Sequence, residues 1–289
     1  MYKNPVYKRE LTTENRSLRF PAVLMLFCSL LVFLGIFCLY FFTSKAEQTG
    51  YIDYSVMLKL YVLIVTTEFI LIMLYIPFPA GMSISGEREK KQFDLLCLTA
   101  VSPVQIILGK LGAILTTSLL LCIMGTPVLS LVFIYGGIQM TDILLLLGTF
   151  IIEIIYTASA GILISSLFRS GTLAVFVNYC ILGFSNALGL FFLFSPYFGI
   201  SSYAGSGSLY TYYPLLLTPT AAFYELISNQ AGDSYAVFDA INSQGLYTHT
   251  IITENWLSIS LVLHIGISLL AISLAADRIR LDKPKATAG

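Results

Sequence analysis

The stretch SISGEREKKQFDLLCLTAVSPVQIILGK, residues 83–110, decides how the rest of the chain is read. Six of the eight residues from Glu87 to Asp94 are charged, yet long apolar runs lie on both sides, Val56 to Ala80 before the knot and Val104 to Ile134 after it. A spanning helix needs about 20 predominantly apolar residues, and four further runs meet that length: Phe20 to Phe42, Ile143 to Phe168, Thr172 to Phe194 and Trp256 to Ala276. Hydrophobic residues make up 57% of the 289 and charged residues only 11%, against about 25% charged in soluble domains. The composition therefore predicts an all-α integral membrane protein of six transmembrane helices, a single membrane domain over residues 1–289. A formal net charge of zero disfavours a nucleic-acid partner, and six spans with their loops leave no room for a sizeable soluble catalytic domain.

Lysine and arginine set the expected orientation. Lys3, Lys8, Arg9, Arg16 and Arg19 precede the first run; Arg88, Lys90, Lys91 and Lys110 surround the second connection; Arg169 lies in the fourth; Arg278, Arg280, Lys283 and Lys285 close the chain. These fourteen of the sixteen basic residues fall on one face, leaving Lys45 and Lys59 for the other. Both termini are thus predicted to be cytoplasmic. The first run follows about twenty residues with five basic groups and has no small-residue cleavage site after it, so it reads as a retained span. Ahead of it, Pro5, Val6, Tyr7, Leu11 and Leu18 among charged residues predict an amphipathic helix in the cytoplasmic interface. The outer loop, residues 195–255, contains YYPLLLTPTAAFYELI, too short and too broken by proline to cross. Re-entrant or interfacial helices are expected there. Trp256, with Tyr247 nearby, reads as an outer interfacial anchor.

Within the charged knot, Ser85 can cap a helix of about residues 86–98 whose first turn carries Glu87 and Glu89, and Glu87 with Lys91 and Lys90 with Asp94 are opposite charges four apart. Phe93, Leu95, Leu96 and Leu98 make its far end apolar, suited to docking on the membrane boundary or a partner. Ser102, Pro103 and Gln105 supply an N-cap, a proline at the first helical position and a capping-box partner, so the next span starts there.

The residue order Glu87, Arg88, Glu89, then Phe93, Asp94, Leu95, Leu96, Thr99, Ser102, Pro103, Gly109 and Lys110 resembles the cytoplasmic loop of ABC-2 type permeases, the membrane subunits of one class of ATP-binding cassette exporters. The six-span layout, the N-terminal NPVYKREL and the long outer loop are also similar to that family. Two departures stand out: Lys91 and Gln92 replace the usual Gly-Thr, and Ala100 replaces the first proline. The resemblance implies that the segment between spans two and three is a coupling helix, seated in a cleft of a separate ATPase chain, with Glu87, Arg88, Glu89, Phe93, Asp94 and Leu96 as its contact residues. It further implies a second permease chain, the same or a similar one, around a central path. Export across the cell membrane, of the bacterial cytoplasmic kind, follows from the resemblance, while the tyrosine-rich outer loop and the apolar spans suit a peptide, lipid-like or drug-like substrate. ILGKLGA around Lys110 lacks the first glycine and the hydroxyl residue of a phosphate-cradling loop. This chain is accordingly expected to bind no cofactor and to perform no hydrolysis, with ATP and magnesium held by the partner ATPase.

Two carboxylates interrupt the apolar runs, Glu68 in span two and Glu153 in span four. An ionised carboxylate at mid-bilayer costs about 2.5 to 3.5 kcal/mol on insertion scales, so both should face protein or a water-filled path. Tyr61, Glu68 and Tyr75 recur at seven-residue spacing on one face. Glu153, Thr157, Gly161 and Ser165 recur at four, a stripe of small residues that permits close helix packing. Translocation-path candidates are Glu68, Tyr61, Tyr75 and Glu153. A different class, an ion-coupled secondary transporter using Glu68 or Glu153, remains the alternative. An intramembrane enzyme would need a metal pair or a nucleophile–base constellation in the spans, and no such pattern is visible. His264 reads as a packing residue, and the cysteines of the spans read as small apolar fillers.

Overall fold

The computed structural model describes residues 4–49, 54–93, 101–134, 139–194, 213–232, 237 and 251–282. In chain order its α-helices are α1 (Pro5–Arg16), α2 (Arg19–Thr49), α3 (Tyr54–Tyr75), α4 (Pro77–Glu89), α5 (Pro103–Ile134), α6 (Met140–Leu167), α7 (Gly171–Phe194), α8 (Pro219–Gln230), α9 (Ile251–Glu254) and α10 (Trp256–Asp282), with a 3-10 turn at Tyr213–Leu217 before α8. No strand occurs among the described residues. Six helices or helix pairs are long and apolar enough to cross a membrane: Phe20–Phe41, Leu58–Glu89, Pro103–Leu129, Met140–Leu167, Gly171–Phe191 and Trp256–Leu281. The chain divides into two compact units, residues 1–178 with 268–289, and residues 179–267.

In the first unit, the second apolar run does not stop where hydropathy fades. Ile76 keeps right-handed helical dihedrals between α3 and α4, and the backbone ladder continues through it, Ile76 N to Ile72 O at 3.1 Å and Ala80 N to Ile76 O at 3.1 Å. Pro77 and Pro79 fall at the start of α4, where a missing N–H is cheapest. The 32 residues of Leu58–Glu89 extend about 48 Å at 1.5 Å per residue, well beyond a hydrocarbon core of about 30 Å. Glu87, Arg88 and Glu89 therefore ride on the end of a spanning helix.

This corrects the expected start of the surface helix of residues 86–98, of which 94–98 lie outside the described residues. Ser85 does not cap it: the side chain is fully buried inside α4 and its Oγ donates to the Gly81 carbonyl at 2.6 Å. The helix ends at Glu89 in a Schellman turn, with Lys91 N bonded to Arg88 O at 3.0 Å and Gln92 N to Glu87 O at 2.9 Å. Lys91 sits there at φ 55°, the left-handed position where glycine is usual. The turn takes Lys91 off the helical face of Glu87, so the expected Glu87–Lys91 pair does not form within a helix. Lys91→Gly is expected to stabilise the protein by about 1 kcal/mol by relieving the Cβ crowding, seen as a higher melting temperature in detergent. Asp94 and Leu96 lie outside the described residues.

Close packing of α4 on α6 follows from small side chains on both. A Cβ on Gly161 would come within 2.6 Å of the Ala80 Cβ and of the Asn178 amide nitrogen, and one on Gly81 within 2.9 Å of the Val175 backbone. Ser165 fills the remaining space: its Oγ accepts from Ile84 N at 3.0 Å and Ser85 N at 2.9 Å and donates to Gly81 O at 2.6 Å. Thr157 donates to the Glu153 carbonyl at 2.7 Å, with Met73 Sδ of α3 3.7 Å from its Oγ1. The stripe from Glu153 to Ser165 is thus the packing face expected of it. The predicted capping box is present too, Gln105 N to Ser102 Oγ at 3.3 Å and Ser102 N to Gln105 Oε1 at 3.2 Å.

In the second unit, the apolar outer segment folds as the 3-10 turn and α8. Leu193, Leu215, Leu216, Ala221, Val237 and Trp256 form one core. Trp256 is only 2% exposed, which corrects its reading as an interfacial anchor. The loop helices supply enough apolar surface to enclose the indole. Glu225 is buried and accepts from Val237 N at 2.8 Å, while Ser260 ties α10 to the turn by donating to Leu216 O at 2.8 Å.

Candidate functional site

The charged knot is a junction of five helices. Asn4 begins it, capping α1 by accepting from Val6 N at 3.1 Å and donating its amide to Gln105 O at 2.6 Å on α5. Helix α1 then lies directly on two α5 glycines. A Cβ on Gly109 would stand 2.9 Å from the Val6 Cβ and 3.0 Å from the Tyr7 nitrogen, and Tyr7 reaches Thr116 Oγ1 at 3.0 Å across Gly112. The expected amphipathic helix is real, and its apolar face is turned onto α5 through Val6 and Tyr7.

That docking places Arg9 and Glu10 against Glu87 and Lys110. Lys110 Nζ stands 2.8 Å from Glu10 Oε1 and 3.1 Å from Glu87 Oε1, and Arg9 also bonds Glu87. Lys110 is 3% exposed and Glu87 8%, so desolvation is severe. The more exposed Arg9 and Glu10 supply one opposite charge each, which makes burial of Glu87 and Lys110 tolerable. The neighbouring residues clamp the other helix ends. Arg88 donates to Ser166 O at 2.8 Å, at the end of α6, and its guanidinium lies 4.9 Å over the Phe93 ring. Glu89 Oε2 accepts from Gly171 N at 2.8 Å, a carboxylate at the positive start of α7.

Beside the junction opens a cavity of about 1060 Å³ bordered by α1, the first turns of α2, and α3 and α4. Its polar end holds Glu14, Glu87, Lys90 and Lys110; its apolar wall includes Phe20, Phe78 and Met82. Burial and the nearby Glu10 carboxylate push the Glu14 carboxyl up to about 7.

Of the predicted contact residues, Glu87, Arg88, Glu89 and Phe93 are therefore brought together, with their polar groups used inside the chain; Glu87 in particular is a buried brace. Sequence reasoning missed the roles of Arg9 and Glu10. The four-residue spacing of Val6 and Glu10 in NPVYKREL, which turns both to one face of α1, is the signal that could have found Glu10. Glu68 and Glu153 are both buried. Glu68 faces α5 at Gly125, whose hypothetical Cβ would lie 2.5 Å from Glu68 Oε1, and its Oε2 has no hydrogen-bond partner among the described residues. Tyr61 is buried on the same face, and Tyr75 shares a hydrogen bond with Thr117. His264 is buried in α10.

Fold and site together define a multi-pass, all-helical membrane protein. No protein-family model matches the sequence, and no curated protein matches it either.

Proposed function

We propose that the chain is the permease subunit of an ATP-binding cassette exporter of the ABC-2 type, pairing with a second permease chain and driven by separate ATPase subunits from the cytoplasm. One observation carries this reading: the end of α4 is bonded to α1, α5, α6 and α7 through Glu87, Arg88 and Glu89. A force applied to the segment that follows Glu89 would reach four helices at once, which is what a mechanical handle requires. Since the three charged residues are used internally, the docking surface is assigned to the next residues, Lys90 to Leu98, with Asp94 and Leu96 as the anchors; charge complementarity there would set partner choice and orientation. The test is recovery of an ATPase with the detergent-solubilised permease. Asp94→Lys with Leu96→Glu is expected to reduce that recovery at least tenfold while the permease itself stays monodisperse; undiminished recovery would remove the coupling role.

The buried Glu68 carboxyl, with one oxygen unpartnered among the described residues, favours a second reading, an ion-coupled secondary transporter. In proteoliposomes Glu68→Gln should then abolish transport driven by an ion gradient without ATP. In the ABC reading the same variant assembles normally and impairs ATP-driven export.

A further inference from the structure

The cavity beside the junction contains two features that no step above uses. Glu14 and Glu87 both line that one cavity, and the Oε2 of each is buried with no hydrogen-bond partner among the described residues. Glu87 is more than nine-tenths buried, so its orphan oxygen cannot be satisfied by bulk water at the surface. A buried carboxylate oxygen calls for a donor, and a cationic donor serves best. The basic groups nearby are committed: Lys110 and Arg9 bind Glu10 and Glu87 through other oxygens. On the opposite side the cavity wall is apolar and open, with Phe78 48% and Met82 36% exposed on α4, the second helix of the pair Leu58–Glu89. The site thus has an acidic head pocket, an exposed lysine at its rim, Lys90, and an apolar flank on a helix pair long enough to cross a membrane.

We propose that this cavity binds an aminophospholipid of the phosphatidylethanolamine type, its ammonium held between Glu14 and Glu87, its phosphate facing Lys90, and its acyl chains lying along Phe20, Phe78 and Met82. A trimethylated head group cannot donate hydrogen bonds to the two oxygens, and an anionic head group meets them as like charge. The inference rests on the membrane placement of these helices and is independent of any ATPase partner.

The raised Glu14 carboxyl adds a sign to this. The charged groups around it are Arg9 and Glu10 on its own helix, Glu87, Glu89 and Lys90 on α4 and Lys110 on α5, with the Tyr75 hydroxyl from α3. A carboxyl that ionises near 7 holds an ammonium only above that pH, so binding should strengthen as pH rises from 5.5 to 8 while the lipid amine stays protonated.

The test uses the full chain alone, delipidated in detergent, with retained lipid read by native mass spectrometry against dioleoyl phosphatidylethanolamine, phosphatidylcholine and phosphatidylglycerol. Phosphatidylethanolamine is expected to bind about tenfold more tightly than phosphatidylcholine at pH 8. The preference should vanish in Glu14→Gln and shrink in the unmodified protein at pH 5.5. Equal retention of the three lipids, preference for phosphatidylglycerol, or a preference unchanged by both Glu14→Gln and acid pH would each overturn the proposal. The acid-pH arm requires no variant to fold.

Discussion

Replacing Glu87 by alanine should destabilise the protein by about 3 kcal/mol, because removing one partner of a buried ion pair leaves the other charge desolvated. Lys110, 3% exposed, would keep Glu10 but lose its second carboxylate at 3.1 Å, and Arg9 would lose its anchor on α4. Thermal unfolding of the solubilised protein measures this directly. Faster hydrogen exchange across α1 should accompany it, since α1 would lose its tie to α4. The pair can be isolated with Lys110→Ala: the double variant should be less destabilised than the sum of the two single ones. Lys90→Ala, a charge removed three residues away at an exposed position, should cost less than about 0.5 kcal/mol. Equal effects of Glu87→Ala and Lys90→Ala would mean that the junction bears no structural load.

An effect of at least the same size is expected for Gly161→Leu. The new Cβ alone would meet the Ala80 Cβ and the Asn178 amide at 2.6 Å, and Asn178 cannot retreat without giving up its 2.9 Å bond to the Pro77 carbonyl. Overpacking of this kind costs about 1–3 kcal/mol where neighbours can shift, and more where they are backbone or bonded groups. The variant should run as aggregate or fail to accumulate in the membrane. Gly148→Leu provides the control on the same helix, as nothing lies within 4 Å of its Cβ position. Normal behaviour of Gly161→Leu would contradict the close contact of α4 with α6.

The two variants probe different degrees of legibility. Gly161 belongs to a stripe with Glu153, Thr157 and Ser165 that four-residue spacing marks out as one helix face, and the structure packs that face against its neighbours. Ser102, Pro103 and Gln105 announced the start of α5 with equal clarity, because capping needs only residues three apart. Glu87 was read as a docking charge. A carboxylate in a run of charges looks solvated until its partners are known, and here one of them, Arg9, is 78 residues away. Ser85 misled for a related reason: serine before acidic residues signals a helix start, but the same hydroxyl inside a helix bonds the carbonyl four residues back, as it does to Gly81. Trp256 followed the statistics of interfacial tryptophan, whereas the segment from Tyr213 to Gln230 supplies an apolar cover that hydropathy alone does not place.

The sequence by itself determined which segments are long and apolar enough to cross a bilayer, because burying twenty apolar side chains in hydrocarbon is a property of each segment and needs no neighbour. It also determined the local ends that carry their own caps. Only the tertiary structure decided that α3 runs through Ile76 into α4, that α1 lies on Gly109 and Gly112, and that Arg9 and Glu10 neutralise the buried Glu87 and Lys110. Of the four charges only Glu87 and Lys110 are themselves buried, and Arg9 and Glu10 reach them from the half-exposed side of α1; such contacts depend on surfaces brought together from distant parts of the chain, where the energy of a charge is set by what faces it rather than by what precedes it.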